Sequence, residues 1–326
     1  MTRQRNIAFS KHISGENTTI LETKNLTKRY GRIDVLQCID LHLEQGQIYG
    51  LLGRDGAGKT TALKIILGIT PSSGGFIKLF GQLLGANVVA LRQKIGYVAQ
   101  EQHFYDWMTP VSICQFVRGL YPTWDNGEYY RTIEQMDLPS GRKIRTFSES
   151  MKTMLALALA IAHQPQLLIL DEPTAGLDKV TRHEFMERIK DISKNSERTI
   201  LFSSNDVHEI EQLADHLGII DRGIMKYEGS IHDLSAGIRL FRCSVYEQVS
   251  GSSGAPMKAS SIPPPPFLAT RLGFQVIEDQ VRNDDRELIV QAEHADLFND
   301  IGTELGGWRM EQPTLENIYI SMVRHK

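Results

Sequence analysis

The chain has 326 residues, enough for about two domains and for a packed core that needs no disulfide bonds. Its 36 Lys and Arg residues against 39 Asp and Glu residues give a net charge of −3, which disfavours a nucleic-acid-binding protein. The three cysteines, Cys38, Cys114 and Cys243, are far apart and odd in number, which argues against a disulfide framework or a CxxC metal site and indicates a reducing, cytosolic compartment.

The N-terminal segment and the longest apolar run both bear on location. Residues 1–17 mix Arg, Lys and polar side chains without an apolar stretch, so we predict a flexible tail and no secretory signal. The longest apolar run, residues 154–162, has nine residues, whereas a membrane-spanning helix needs about 20. We therefore expect that the chain does not itself cross a membrane.

Strand and helix patterns alternate along the first two thirds of the chain. Residues 18–30 and 48–52 predict strands, and residues 60–69 carry apolar side chains at the spacing of three and four that is typical of a helix. Residues 167–170 and 199–202 predict buried strands. This alternation indicates an α/β fold with a mainly parallel sheet.

Two further segments depart from the alternation. Residues 101–165 have helical patterning and many aromatic side chains, which predicts a helical subdomain inserted into the α/β core. Residues 250–266 are rich in Gly, Ser and Pro and predict a linker, extended over its four prolines, between a domain at 18–249 and a small accessory domain at 267–326. A ligand segment for a proline-binding module is the alternative, disfavoured because no basic residue flanks the prolines.

A glycine-rich segment lies between the predicted strand 48–52 and the helix that follows it. Residues 53–60 read Gly-Arg-Asp-Gly-Ala-Gly-Lys-Thr and match GxxxxGK[ST] at every fixed position. Such glycines let backbone N–H groups surround phosphate oxygens. We expect Lys59 to neutralise the β and γ phosphates and the Thr60 hydroxyl to bind Mg²⁺.

Two acidic residues follow the predicted strand 167–170. Asp171 and Glu172 would emerge at the carboxyl end of that strand, where ligands bind in open α/β sheets. Asp171 would hold Mg²⁺ through water, and Glu172 would orient or deprotonate an attacking water, an effect typically worth about 10²- to 10⁴-fold in rate. Taken alone, the pair also fits a helix N-cap, but the upstream phosphate loop favours the catalytic role.

With these motifs, the sequence resembles the ATPase subunits of ABC transporters over residues 18–248, most closely those that energise drug, lantibiotic or similar exporters with a separate permease. The family markers occur in order: Tyr30 as the adenine-stacking aromatic, Gly53 to Thr61 as Walker A, Gln100 as the Q-loop, residues 147–151 (FSESM) as the signature, residues 167–172 as Walker B, Asp178 in the D-loop and Asn205 at the switch position. Tyr30 would otherwise pack at a strand end, Gln100 would be a solvated loop residue, and Asp178 would be a turn residue.

The resemblance implies a P-loop NTPase core of the α/β class, with the helical subdomain inserted and a small C-terminal α+β appendage. It implies ATP and Mg²⁺ as cofactors, and a dimer of two copies, or of this chain and a related one, that sandwiches two ATP molecules between the P-loop of one chain and the signature of the other. It further implies a transmembrane permease partner, a cytoplasmic position on the inner face of the cell membrane, and no nucleic-acid partner. The residues implied to bind ATP are Tyr30, Gly53, Arg54, Asp55, Gly56, Ala57, Gly58, Lys59, Thr60, Thr61, Ser148 and Ser150; those implied to bind Mg²⁺ are Thr60, Gln100 and Asp171; and the catalytic residues are Glu172 and Asn205.

The sequence departs from the family pattern at two places. The signature LSGGQ is replaced by FSESM, so Glu149 and Ser150 stand where the family has glycines. The switch histidine is replaced by Asn205, which forms hydrogen bonds but carries no positive charge. We therefore expect slow hydrolysis, the alternative being that Asn205 and Ser150 contact the nucleotide well enough. His208 is a disfavoured substitute, because three residues along a helix turn it about 300° away.

Two rival functions stay open at this point. A soluble ABC ATPase that acts on ribosomes or DNA is disfavoured, because such proteins usually carry paired ATPase domains or long coiled coils, whereas this chain has one P-loop and no sustained heptads. A regulatory module that closes on ATP without efficient turnover is kept open by the two departures.

Overall fold

The computed structural model describes residues 19–85, 88–196, 198–244, 262–282, 285–299, 301, 305 and 307–324. The chain forms two compact units, Met1–Gly229 and Ser230–Lys326. The predicted tail at residues 1–17 and most of the predicted linker, residues 250–261, lie outside the described residues.

The centre of the first unit is a six-stranded sheet. Its strands are β3 (Ile48–Leu52), β6 (Ile95–Val98), β7 (Leu167–Asp171), β8 (Thr199–Ser204), β9 (His216–Asp221) and β10 (Ile224–Ser230), in the order β10-β9-β3-β8-β7-β6. The pairs β3–β8, β3–β9, β6–β7 and β7–β8 are parallel. Every residue of β3, β7 and β8 is buried, as expected for parallel strands covered on both faces. The predicted α/β class is confirmed.

A second, antiparallel sheet belongs to the same unit. It consists of β1 (Thr19–Tyr30), β2 (Ile33–Glu44), β4 (Gly74–Leu79) and β5 (Gln82–Leu83), in the order β2-β1-β4-β5. Buried side chains such as Leu26 and Leu36 join one hydrophobic cluster with Leu63 of the helix that follows the glycine loop and with Tyr49 of β3. The helix is thereby held between the two sheets, and its first turn has a fixed position.

The helices of the first unit include the predicted helical insertion. They are α1 (Lys59–Ile66), α2 (Val88–Arg92), α3 (Pro110–Arg118), α4 (Asn126–Gln135), α5 (Glu149–Ala162), α6 (Lys179–Ser196) and α7 (Val207–Leu213), with a 3-10 turn at Ile144–Thr146. Helices α3, α4 and α5 all lie between β6 and β7 in the chain, where the insertion was expected. Within the part of the chain that the structure describes, no helix is long and apolar enough to span a membrane.

The second unit is a smaller α+β body. Its antiparallel sheet has the order β12-β13-β11-β14 and is formed by β11 (Ile238–Ser244), β12 (Phe274–Arg282), β13 (Asp285–Ala292) and β14 (Arg309–Glu311). Within its described residues, the helices are α8 (Ile231–Ala236), α9 (Phe267–Thr270) and α10 (Leu315–Val323), with a 3-10 turn at Ala295–Phe298.

The border between the units differs from the border expected from the sequence. Strand β11 precedes the Gly/Ser/Pro segment, yet it pairs with β13 from Ile238↔Gln291 to Ser244↔Asp285. Residues 238–244 therefore belong to the sheet of the second unit and not to a domain at 18–249. The proline end of the predicted linker also differs, because Ile262 is buried in the core of the second unit and Pro263 accepts a hydrogen bond from Trp308 Nε1 at 3.1 Å.

Candidate active site

The glycine loop connects the buried strand β3 to helix α1. Gly58 has φ 109° and a Cβ on it would lie 2.7 Å from Leu36 Cδ2, while a Cβ on Gly53 would lie 2.5 Å from the carbonyl oxygen of Ile220, so neither position accommodates a side chain. No side chain caps the start of α1, and its first turn has no acidic residue. The first N–H groups of this helix are therefore available to an anion.

Lys59 lies inside the loop rather than in solvent. Its side chain is only 3% exposed, and its ammonium lies 2.8 Å from Glu172 Oε1. The ammonium also donates to the carbonyl oxygens of Gly53 at 2.6 Å and Arg54 at 3.0 Å. The charge of this buried cation is thereby compensated by one carboxylate and two carbonyl oxygens.

Asp171 supplies a buried carboxylate beside the loop. Its Oδ1 accepts from the hydroxyl of Thr60 at 3.0 Å and from that of Ser203 at 2.9 Å, and its Oδ2 is buried without a hydrogen-bond partner among the described residues. Burial raises the pKa of Asp171. No group of three or more His, Cys, Asp or Glu side chains able to hold a metal occurs in the described ranges. The orphan oxygen and the Thr60 hydroxyl fit Mg²⁺, which proteins bind through one or two side chains together with substrate phosphates.

Glu172 is held in a strained backbone conformation. Its φ of 44° lies in the left-handed region that non-glycine residues rarely adopt. The Glu172 N–H donates to Ser203 Oγ at 3.0 Å, and Glu172 Oε2 accepts from Gln100 Nε2 at 3.0 Å. These bonds fix the Glu172 carboxylate between Lys59 and Gln100.

Asn205 follows β8 and faces the glycine loop. Its Nδ2 donates to Asp55 Oδ1 at 2.9 Å. His208 lies on α7 with 72% of its side chain exposed, and its Nδ1 is 3.5 Å from a carboxylate oxygen of Glu211. The structure thus brings Asn205 to the glycine loop, whereas the His208 side chain pairs with Glu211 on its own helix.

The signature residues form the first turn of α5. Ser148 Oγ accepts from the Met151 N–H at 3.2 Å and lies 2.9 Å from Ser150 Oγ. Glu149 is exposed and lies 2.8 Å from Lys152 Nζ. The carboxylate that departs from the family signature therefore has a cation beside it, which lessens its repulsion of a phosphate.

Tyr30 and Asp178 lie outside the network around Lys59. Tyr30 is 50% exposed, and Lys28 Nζ lies 4.6 Å from its ring centroid. Asp178 accepts from the Thr181 hydroxyl at 2.6 Å and from the Val180 N–H at 3.0 Å, and the bond with Thr181 is the largest cause of its lowered pKa. The contacts of Tyr30 and Asp178 with a nucleotide stay predictions.

Ser203 is a site residue that the sequence analysis missed. It links Asp171 to the backbone of Glu172, because β7 and β8 pair in the register Asp171↔Ser203. The signal was present in the two serines that end the apolar strand TILFSS, since the carboxyl ends of adjacent parallel strands meet at one edge of a sheet.

Comparison with known proteins identifies relatives of the first unit. A family profile described as ABC transporter matches residues 36–175. The bacitracin transport ATP-binding protein BcrA of Enterococcus faecalis is 37% identical over 217 residues, which cover 66% of this chain and 70% of the relative. The linearmycin resistance ATP-binding protein LnrL of Bacillus subtilis (strain 168) is 34% identical over 220 residues, covering 66% of this chain and 70% of the relative.

Solved structures share the fold. A structure described as the dimeric post-hydrolysis state of an ATP-binding cassette with ADP and Pi has a TM-score of 0.59 and is 21% identical. The match covers 65% of this chain and 99% of that chain. The first unit therefore has the fold of such cassettes.

Proposed function

This chain belongs to the family of ABC transporter ATP-binding subunits, and on that premise we propose that it hydrolyses ATP to drive export through a separate transmembrane permease. It works as a dimer of two copies or with a related chain, uses Mg²⁺, and lies in the cytoplasm on the inner face of the cell membrane. The names of the two relatives, one for bacitracin transport and the other for linearmycin resistance, support an exporter.

The observation that carries this proposal is the buried ion pair of Lys59 and Glu172 at the start of α1. When a triphosphate enters the loop, the Lys59 ammonium moves from Glu172 to the phosphate oxygens. The free N–H groups at the start of α1 donate hydrogen bonds to the same phosphates. This exchange releases Glu172 Oε1 as an acceptor for the proton of an attacking water, while Gln100 retains Oε2.

Thr60 and Asp171 would hold Mg²⁺ with the hydroxyl and the orphan Oδ2. When bound there, Mg²⁺ would supply positive charge against the negative charge that develops on the phosphate oxygens. Ser203 keeps Asp171 Oδ1 in place and leaves Oδ2 for this task.

A sandwich dimer supplies the remaining contacts in this proposal. The Ser148 and Ser150 hydroxyls of one chain would face the γ-phosphate held by the loop of the other, since they lie at the start of α5. The shared fold with a dimeric cassette that holds ADP and Pi supports this arrangement.

We expect slow turnover, because the charged switch side chain and both signature glycines are replaced. Losing one preorganised donor costs about 10² to 10³ in rate. Asn205→His is expected to raise kcat for ATP hydrolysis if the switch position limits the rate. The double variant Glu149→Gly with Ser150→Gly is expected to raise kcat if the signature limits the rate. The triple variant should exceed both, without strict additivity since the groups act on one phosphate.

Steady-state phosphate release by the four proteins measures these effects. Fast hydrolysis by the wild type that none of the changes improves would contradict slow turnover. In a heterodimer with a related chain, this chain would contribute Asn205 to one ATP site and its Glu149-Ser150 signature to the other. Each of the two ATP sites would then contain one of the replaced motifs.

The permease partner is supported by a groove in the first unit. A cavity of about 390 Å³ lies between the α/β core, which contributes Leu67 and Ile95, and the helical insertion, which contributes Phe104, Val117 and Tyr121.

Val117→Asp is expected to reduce copurification of the tagged protein with membranes of the source organism at least about tenfold, since a buried unpaired charge costs several kcal/mol. Leu83→Asp, on an exposed strand, is the matched control. Equal membrane recovery of both variants and the wild type would argue against docking at this groove.

A regulatory switch that closes on ATP is the second candidate. It is favoured by Asn205, which lacks a cationic side chain for transition-state stabilisation. Tight ATP binding with dimer formation but no phosphate release by the wild type would select the switch over the transporter ATPase.

A further inference from the structure

The backbone brings Asp55 and Asn205 side by side. Strands β3 and β8 are parallel neighbours in the register Leu52↔Ser204, so the loop after β3 and the corner after β8 begin at the same edge of the sheet. The Gly53 N–H donates to the carbonyl oxygen of Ser204 at 3.2 Å, which continues the pairing one residue beyond the strand.

Both segments are then fixed by their own hydrogen bonds. The Ala57 N–H donates to the carbonyl oxygen of Arg54 at 3.1 Å and closes the turn that carries Asp55. The Asp206 N–H donates to Ser204 Oγ at 2.9 Å and closes the corner that carries Asn205. Only side-chain torsions remain to decide which atoms of Asp55 and Asn205 meet.

The chemistry of the two side chains decides this orientation. The amide of Asn205 has a donor end and an acceptor end that exchange by a half turn, whereas an ionised carboxylate only accepts. Asn205 Nδ2 donates to Asp55 Oδ1 at 2.9 Å, a bond strengthened by the charge of the acceptor. Asp55 thus selects the orientation in which the nitrogen faces the glycine loop, and the second hydrogen on Nδ2 is left for another acceptor.

We propose that Asp55 is a positioning residue for ATP hydrolysis, which holds the Asn205 amide so that an N–H group, and not the carbonyl oxygen, faces the γ-phosphate. This inference rests on the proposed function. Asp55 has a second, separate effect, because its negative charge repels phosphates and weakens ATP binding whether or not Asn205 is present. This differs from the expectation that Asp55 is one of the residues that bind ATP. The two effects fall on different kinetic parameters, the first on kcat and the second on KM and on the Kd for ATP.

A double-mutant cycle separates the two effects. Asp55→Asn, Asn205→Ala and the double variant are compared with the full-length wild type by single-turnover hydrolysis of radiolabelled ATP and by equilibrium binding of a fluorescent ATP analogue. We expect Asp55→Asn to lower the hydrolysis rate about two- to 100-fold when Asn205 is present and less than about twofold when position 205 is Ala, the range of coupling found for side chains in contact. Binding should tighten equally in both backgrounds. Asp55→Ala, which also removes the acceptor, should lower the rate in the same way.

An equal loss of rate in both backgrounds, or no loss in either, would overturn the positioning role. ATP binding and phosphate release by the wild type, measured in the same experiment, show whether the positioning role alone or the proposed function as a whole is refuted. If the wild type releases no phosphate, whether or not it binds the ATP analogue, the proposed function fails and the inference with it. If the wild type hydrolyses ATP and the cycle shows no coupling, only the role of Asp55 is refuted.

Discussion

Glu172→Gln is expected to lower the rate of ATP hydrolysis by about 10²- to 10⁴-fold, the usual contribution of a general base, while ATP binding is retained. The amide keeps the shape of the side chain but does not accept the proton of the attacking water. It also carries no charge to pair with Lys59, whose ammonium lies 2.8 Å from Glu172 Oε1, so phosphates meet less competition for that cation. The variant should accumulate as an ATP-bound dimer.

Phosphate release and size-exclusion chromatography with ATP and Mg²⁺ measure these two outcomes. Glu187→Gln is a matched control, because Glu187 is half exposed on α6 and pairs with Lys190 at 2.7 Å, away from the loop. If Glu172→Gln elutes only as a monomer under these conditions, the proposal that two chains enclose ATP in a sandwich dimer is wrong.

Lys59→Ala should raise the Kd for ATP by about 30-fold or more. Removing one partner of a buried charge pair costs about 2 to 5 kcal/mol, and each 1.4 kcal/mol is a factor of ten in affinity. The substitution removes the ammonium that would meet the phosphates and leaves the Glu172 carboxylate, 12% exposed, without its cation. Both changes make the loop more negative towards a triphosphate.

Equilibrium binding of a fluorescent ATP analogue is the measurement for Lys59→Ala. Lys190→Ala, a change at a partly exposed position of α6, controls for a general loss of positive charge, and circular dichroism verifies that both variants fold. Unchanged affinity of a folded Lys59→Ala protein would show that the glycine loop is not the phosphate site.

The parts of the site that the sequence predicted are those encoded by contiguous residues. The glycine loop with Lys59 and the pair Asp171-Glu172 each follow a strand that reads as a short apolar run, so the motif and its structural context are visible together. The strand class of β3, β7 and β8 was predictable for the same reason, since burial on both faces leaves an apolar segment.

The contacts that join these motifs were not predictable in the same way. Ser203 and Asp171 are brought together by the register of two strands, and Asp55 meets Asn205 only because β3 and β8 are neighbours. The pairing of Glu149 with Lys152 follows the i, i+3 spacing of a helix, so it was predictable once the signature is placed at the start of a helix.

The border between the two units shows the same limit. Glycine, serine and proline are a good signal for an irregular segment, but they do not reveal which strands pair across it. Strand β11 precedes that segment and β13 follows it, and their antiparallel pairing is a contact over a long sequence separation. Similarly, β2 was missed because its alternation of buried and exposed residues is broken at the consecutive exposed residues Gln37 and Cys38, where Cys38 has φ 56°.

The most direct test of the account is the release of phosphate from ATP, measured in parallel for the wild type and Glu172→Gln with Mg²⁺ and with the Mg²⁺ removed by chelation. The account predicts that the wild type releases phosphate slowly and only when Mg²⁺ is present. Glu172→Gln is expected to release phosphate about 100-fold or more slowly than the wild type. Release at the same rate by both proteins, or a rate that is unchanged without Mg²⁺, would contradict the assignment of Glu172 and Asp171 to ATP hydrolysis.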